Sequence, residues 1–205
     1  MAAEPGVAPR YHRILQPEVL DRIRRSLRGM NRGMLLVWRL GLGWTAEIWP
    51  AGFGRLMVIE HVGRRTGTRY RTPVNFTRRD GAVYCLAGFG PRTDWLRNLA
   101  AAPDTAVWLP EGRWAARAEA ADDHPERLDV LRSVLRDSGF AARLIGLDHR
   151  AISDEALAGA CAGYRLVRFV LLGREDAPGG PGDLAWVWWP LGAAALVAWL
   201  RRRSR

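Results

Sequence analysis

The sequence predicts an α+β fold in which one antiparallel sheet curls toward a barrel and helices pack on its outside. Three observations carry that expectation. Strand-like runs between residues 56 and 172 are separated by turn signals of hairpin type. Only one short helical segment interrupts the first five of them, so the strands are joined by hairpins rather than by βαβ crossovers. Segments with helical spacing then flank the strand-rich middle on both sides.

Residues 1–12 carry Pro, Gly and Ala and read as a loose tail. Val19, Leu20, Ile23 and Leu27 recur at helical spacing within Gln16–Arg28. Asn31–Leu42 is a second, more apolar helix, expected to end at Gly41 and Gly43 and to turn Met34, Leu35, Val37, Trp38 and Leu40 into the core. Leu56–Val62 is the first strand, Gly63–Gly67 a turn, and Arg69–Thr77 the return strand. Asp80-Gly81 is a hairpin turn leading to Ala82–Ala87, which is apolar at most positions and so expected to be buried. Gly88-Phe89-Gly90-Pro91 breaks that strand. A short helix follows over Asp94–Ala102 with Thr93 placed to cap it. Thr105–Leu109 and Arg113–Ala120 pair across Pro110-Glu111-Gly112. His124–Asp137 is amphipathic, with Pro125 in its first turn and Gly139 past its end. Residues 140–162 read as short helices and loops, and Tyr164–Leu172 as the last strand.

The composition of 205 residues, 48% hydrophobic and 25% charged, excludes wholesale disorder. The formal charge is +10. All 31 basic residues are arginine, which reads partly as coding bias, so the places where arginines cluster carry more meaning than their number. The positive field still points to an anionic partner: nucleic acid, anionic lipid or a phosphorylated cofactor. Aromatic residues are not interleaved with basic ones in the manner of RNA-binding strands, and nucleic acid is not expected. Cys85 and Cys161 lie far apart in apolar surroundings, as buried reduced thiols do. The four histidines have no metal-ligand spacing, and no metal site is expected. Arg24-Arg25 only superficially resembles an export signal, because the apolar run after it is interrupted by Arg39.

Two segments carry chemistry. In Gly63-Arg64-Arg65-Thr66-Gly67-Thr68-Arg69-Tyr70-Arg71-Thr72-Pro73-Val74, glycines bound a tight turn lined with guanidinium groups, which match phosphate and carboxylate oxygens. In Gly88-Phe89-Gly90-Pro91-Arg92-Thr93-Asp94-Trp95-Leu96-Arg97-Asn98-Leu99, a glycine loop opens onto a helix N-terminus, with Trp95 as a flat apolar surface and Arg97 and Asn98 as polar hands. Together they read as a slot for a flat heterocycle beside a clamp for its charged tail. No Ser, Cys or His arrangement for nucleophilic catalysis is present, and no catalytic side chain is assigned.

These paired motifs, with Ala102-Pro103 beyond them, resemble the deazaflavin-dependent nitroreductase family, split β-barrel oxidoreductases that bind coenzyme F420. The resemblance runs from about Asn31 to Val170. It implies that Arg64, Arg65 and Thr66, with Arg69 or Arg71, hold the cofactor's phosphate and polyglutamate tail. It further implies that Thr72, Pro73 and Asn75 run along the ring system. Gly88, Phe89 and Gly90 would then give backbone contacts, while Trp95, Arg97 and Asn98 close the pocket. The implied reaction is hydride transfer from the reduced deazaflavin to a quinone, nitro or enone acceptor. A non-catalytic F420-binding protein, or the same barrel binding FMN or haem, are the alternatives. The chain departs from the family pattern at Glu60-His61-Val62, where threonines usually precede the turn, and it lacks tyrosines over 124–162. His61 reads as a strand histidine satisfied by its neighbours in preference to a proton donor.

The expected organisation is a tail and amphipathic helix over 1–30 and a split-barrel cofactor-binding domain over 31–172. A Gly/Pro/acidic linker over 173–183 and a hydrophobic helix over 184–205 with a basic end complete it. Leu184–Leu200 has no charged residue, carries tryptophans at both ends and is followed by Arg201-Arg202-Arg203-Ser204-Arg205. That is the pattern of a membrane-associating helix, near the lower limit for spanning. Attachment to membrane lipid on the cytoplasmic side is expected from it, and a homodimer is left open.

Overall fold

The computed structural model describes residues 29–45, 54–88, 90–139 and 152–203. The expected tail, the Gln16–Arg28 helix, Phe89 and residues 140–151 lie outside the described residues. Six strands close into one antiparallel barrel in the order β1-β2-β3-β6-β5-β4. They are β1 Leu56–Val62, β2 Arg69–Arg79, β3 Ala82–Ala87, β4 Asp104–Leu109, β5 Gly112–Ala120 and β6 Arg165–Arg174. Antiparallel pairing of β1 with β4 closes the ring. Closure removes the exposed sheet edges that an open six-stranded sheet would carry.

Strand alternation sorts the side chains into two layers. Met57, Ile59, Phe76, Val83, Cys85, Val107, Leu109 and Phe169 fill the interior and are essentially inaccessible. The short helix α2, Asp94–Ala101, lays Trp95 and Leu99 into the same cluster and plugs one end of the barrel. On the outside, α3 (Arg127–Asp137) and α4 (Asp154–Cys161) cover Ala82, Tyr84 and Leu166 through Val130, Leu131, Val134, Leu135 and Leu157. A third cluster forms where the N-terminal helix crosses the opposite outer face. Its Trp38 meets Val58 of β1 and Trp108 of β4, the two indole centroids 6.5 Å apart. Burying one indole removes roughly 200 Å² from water, about 5 kcal/mol by area and an upper figure.

Sequence and structure differ in three informative places. The N-terminal helix, α1 (residues 29–42), does not stop at Gly41: its last turn, Trp38–Leu42, is π-helical, with Gly41 at φ 78° inside it. Gly41 also packs closely there, since a Cβ on it would lie 3.3 Å from the Cβ of Ala185. Thr93 occupies the N-cap of α2, but its hydroxyl turns back to donate to the Gly90 carbonyl at 2.7 Å. The expected linker, finally, is fastened along its length. Gly182 and Leu184 donate backbone N–H groups to the carbonyls of Trp38 and Arg39. Arg39 grips the Asp183 carboxylate through Nε and Nη2 at 2.7 to 3.1 Å. The Trp188 indole N–H reaches the Leu40 carbonyl at 2.8 Å. The last helix, α5 (Trp188–Arg203), therefore leaves from a fixed point beside α1.

Candidate functional site

The β1–β2 turn is built as a closed loop. Gly63 N–H donates to the Thr68 carbonyl at 2.8 Å, and the N–H groups of Thr66 and Gly67 return to the Gly63 carbonyl. The two bounding glycines serve different needs. Gly67 adopts φ 66°, in the left-handed region. Gly63 is required for space, because a Cβ there would lie 2.5 Å from Thr66 Oγ1.

Arg64 fastens this turn to α2. Its backbone N–H and its Nη1 both donate to Asn98 Oδ1, at 3.2 and 2.9 Å, and Nη1 also reaches Asp94 Oδ1 at 3.3 Å. These contacts fix the Asn98 amide, so its NH₂ faces His61, whose Nδ1 stands 3.0 Å away. An amide NH₂ only donates, which makes His61 Nδ1 an acceptor and places the ring proton on Nε2. From there it donates to Thr72 Oγ1 at 3.0 Å. One continuous chain of bonds thus runs from the turn through α2 and β1 to β2, with His61 neutral at its centre. Burial lowers the His61 pKa to about 4, the negative charge of Asp94 opposing it only in part.

That neutral histidine has a consequence for stability. A group whose folded pKa lies below its unfolded value of about 6.5 contributes stability that is complete above that value and is lost as pH falls toward the folded one. Between pH 7 and 4.5 the protein is expected to lose about 2 kcal/mol of unfolding free energy from this group. Urea titrations at the two pH values measure the loss, and His61→Gln, which cannot titrate, should flatten it. A slope unchanged by the substitution would contradict the buried neutral ring.

With Arg64 committed, the cations left for a ligand are its neighbours. Arg65 and Arg69 are exposed, and among the described residues neither forms an ion pair. Arg71 is held: its Nε donates to Glu60 at 3.2 Å and its guanidinium lies 4.9 Å over the Trp108 ring. Alternation along β2 places Arg69, Arg71, Pro73 and Asn75 on the outer face, and Tyr70, Thr72, Val74 and Phe76 on the inner one. The outer face is therefore cationic next to the turn and uncharged about 13 Å further on. The β2–β3 pairing ends at Phe76 and Cys85, so residues 72–75 pair with β1 alone, and Gly88 follows the end of β3. Asn75 Nδ2 is engaged by the Arg55 carbonyl at 3.2 Å.

The second motif divides between roles. Trp95 is 8% exposed and spends its ring on the barrel interior. Asn98 is the buried hub just described, and Arg97 Nε donates to the Pro91 carbonyl at 3.1 Å. Gly90 is buried at φ 68°, and a Cβ there would lie 2.7 Å from the Gly163 carbonyl oxygen. Of the residues read from sequence, the structure gathers Arg64, Arg65, Thr66, Arg69 and Asn98 at one end of the barrel, with Pro73 and Asn75 along the strand that leaves it, while Gly88 follows β3. Sequence reading missed Asp94 as the partner of Arg64; its expectation that His61 is a strand histidine satisfied by its neighbours holds, with Asn98 and Thr72 as the partners. A carboxylate in the first turn of a helix facing an arginine turn was the available signal. A groove of about 350 Å³ also opens beside Arg69, between Val62 and Leu172, with Ala106 and Ala115 among its lining residues.

The donor set suits a polyanion. Arg65 and Arg69 are uncommitted guanidinium groups on a turn that is already anchored, so little ordering is left to be done on binding. The described residues hold no cluster of metal-ligating side chains. Burial pushes the Cys161 thiol up to about 11 and the Cys85 thiol higher still, so neither is a nucleophile at neutral pH.

Comparisons with known proteins agree with this chemistry at the level of family. No curated protein matches the chain in sequence. A conserved hypothetical protein from Mycobacterium tuberculosis is similar in structure at 20% identity and a TM-score of 0.42, covering 63% of this chain and 80% of its own. A haem-binding protein from Mycobacterium smegmatis is similar at 13% identity and a TM-score of 0.41, covering 70% of this chain and 57% of its own. The model of the F420H(2)-dependent quinone reductase family matches residues 44–147, which hold the arginine turn, α2 and five of the six barrel strands. The chain belongs to that family of oxidoreductases, the F420H(2)-dependent quinone reductases.

Proposed function

We propose that the protein is an F420-dependent reductase of a quinone-type acceptor, with nitro and enone compounds as further acceptors, working at the cytoplasmic face of the cell membrane. The observation that carries this reading is the pair Arg65 and Arg69, uncommitted on a rigid turn in a chain of this family. They would hold the phosphate and polyglutamate tail through charge-assisted bonds. The uncharged outer stretch of β2 at Pro73 would receive the ring. When bound, the reduced deazaflavin supplies a hydride from its C5, and the acceptor takes that hydride with a proton from solvent to become the hydroquinone. The protein's part is to fix the ring and keep water from it.

Haem is the weaker alternative. Of the two histidines among the described residues, His61 has both nitrogens occupied within the protein, and His124 Nδ1 accepts the Glu126 N–H at 3.1 Å. Titrating the purified chain into F420 and following the cofactor's fluorescence tests the assignment. A saturable change is expected, followed by turnover of reduced F420 with a short-chain quinone. No change on titration, or a protein that purifies with a flavin or Soret spectrum, would sink the reading. Saturable binding with no turnover across quinones, nitroaromatics and enones would make the chain a carrier of F420.

A further inference from the structure

From Trp188 to Leu200 helix α5 carries no charged side chain, and the rest of the described chain leaves it uncovered. Trp189 is 83% exposed, Leu196 56% and Leu200 51%. An uncovered apolar face of this length needs a partner. A second copy would bring its own basic end, whereas an anionic lipid surface offers an apolar layer and negative charge together. With 16 residues the helix is about 24 Å long, short of the roughly 30 Å hydrocarbon core. No helix among the described residues is long and apolar enough to cross a membrane. The bulk is also uneven around the helix. Trp189, Leu196 and Leu200 share one stripe at spacings of seven and four, while Ala194, Ala195 and Ala198 lie on the other side, with Leu191 the one large side chain among them. Such a helix can lie along the headgroup boundary with its large side chains downward. Arg201, Arg202 and Arg203 at its end complement anionic headgroups, and the Arg203 guanidinium already folds back 4.3 Å over the Trp199 ring.

α5 is not on a tether. Arg39–Asp183 and Trp188–Leu40 clamp its root to α1, which carries the exposed Leu36 at 49% and is followed, two residues past its end, by the exposed Trp44 at 52%. We propose that α1 and α5 form a two-helix platform that docks the barrel in one fixed orientation on an anionic lipid surface. The platform deepens the membrane part of the proposed function and is independent of its reductase part, since it shares no residue with the arginine turn.

The test uses the full chain with sedimenting vesicles of phosphatidylcholine alone or mixed with phosphatidylglycerol. Binding is expected to both, tighter to the mixed vesicles, and weakened there by salt. Replacing Arg201, Arg202 and Arg203 together by Gln should cost about five-fold per arginine on the anionic vesicles, on the order of 100-fold in all, and nothing on the neutral ones. Leu196→Glu with Leu200→Glu should abolish both. These positions are exposed, so the barrel's thermal unfolding should not change. Brominated acyl chains should quench tryptophan fluorescence, less so in Trp189→Phe and in Trp44→Phe. No sedimentation with either vesicle overturns the proposal. So does a dimer in light scattering that Leu196→Glu dissociates and vesicles leave intact. Quenching untouched by Trp44→Phe removes α1 from the platform. F420 titration of the same variants should match the parent, so failure of the lipid surface and failure of the cofactor assignment are read separately.

Discussion

Replacing Arg65 and Arg69 together by alanine is expected to weaken F420 binding by at least 100-fold while leaving the melting temperature within a degree or two. Each guanidinium can make charge-assisted bonds worth about 1.5 to 3 kcal/mol, so losing two costs roughly 3 to 6 kcal/mol of binding. Stability should not follow, because both side chains are exposed and unpaired among the described residues. Two comparisons make the result specific. Arg78→Ala with Arg79→Ala removes the same charge from the surface, where these residues pair with Glu111 and Glu126, and should leave binding nearly unchanged. Arg64→Ala should do the reverse of the clamp variant. It takes the Nη1 contacts from Asn98 and Asp94, loosening the turn and lowering stability by about 1 kcal/mol along with a smaller loss in affinity. Fluorescence titration and thermal unfolding of the three variants separate the roles, and equal losses of affinity from the clamp pair and the Arg78/Arg79 pair would overturn the clamp.

That division of labour among the arginines marks the limit of what the sequence could tell. Strand boundaries were legible because each run ends on a residue with its own backbone chemistry: Gly63, Asp80-Gly81, Gly112. β1 and β3 lie where the pattern puts them, and β2 overruns its expected end by two residues, to Arg79. Closure of the barrel was only a tendency in the sequence, since the β1–β4 pairing that makes it joins segments more than forty residues apart. The site was legible as a composition of residues and not as an arrangement. Four arginines in one turn and strand look alike in a sequence. Which are free depends on Asp94, Asn98 and Glu60, whose nearness to the turn comes from the fold. Trp95 reads as a surface for a ring until α2 is seen plugging the barrel end. Likewise Gly, Pro and Asp over 173–183 have the composition of a flexible connector. Their hydrogen bonds to α1 depend on the π turn at Trp38–Leu42, which no local pattern announces.

Glu60 shows how far such long-range pairing can be pushed, and its removal should be the most destabilising single change on the outer face. Its carboxylate accepts from Arg113 Nη2 at 2.8 Å, from Trp108 Nε1 at 3.0 Å and from Arg71 Nε at 3.2 Å, and Arg113 is paired in turn with Glu175. The Glu60 and Arg113 side chains are 14% and 11% exposed. Burial alone would raise the Glu60 pKa, but the bonds and charges of Arg113, the charge of Arg71 and the Trp108 N–H outweigh it and hold the carboxyl below its ordinary value. Glu60→Ala leaves Arg113 half paired and the Trp108 indole without an acceptor, at a cost of about 3 kcal/mol and a fall of roughly 10 °C in melting temperature. Glu60→Gln, which keeps the shape, should cost about half as much. Because the folded pKa is depressed, the carboxylate's contribution is complete above about pH 4.3 and disappears as pH falls through the folded value. The gap between parent and Glu60→Gln should therefore be constant from pH 7 to 5 and close in more acid solution. Glu60→Gln also releases Arg71 on the face that carries Arg69. If Arg71 is purely structural, F420 affinity should not move; a tighter complex would show that Glu60 had been restraining a third arm of the clamp.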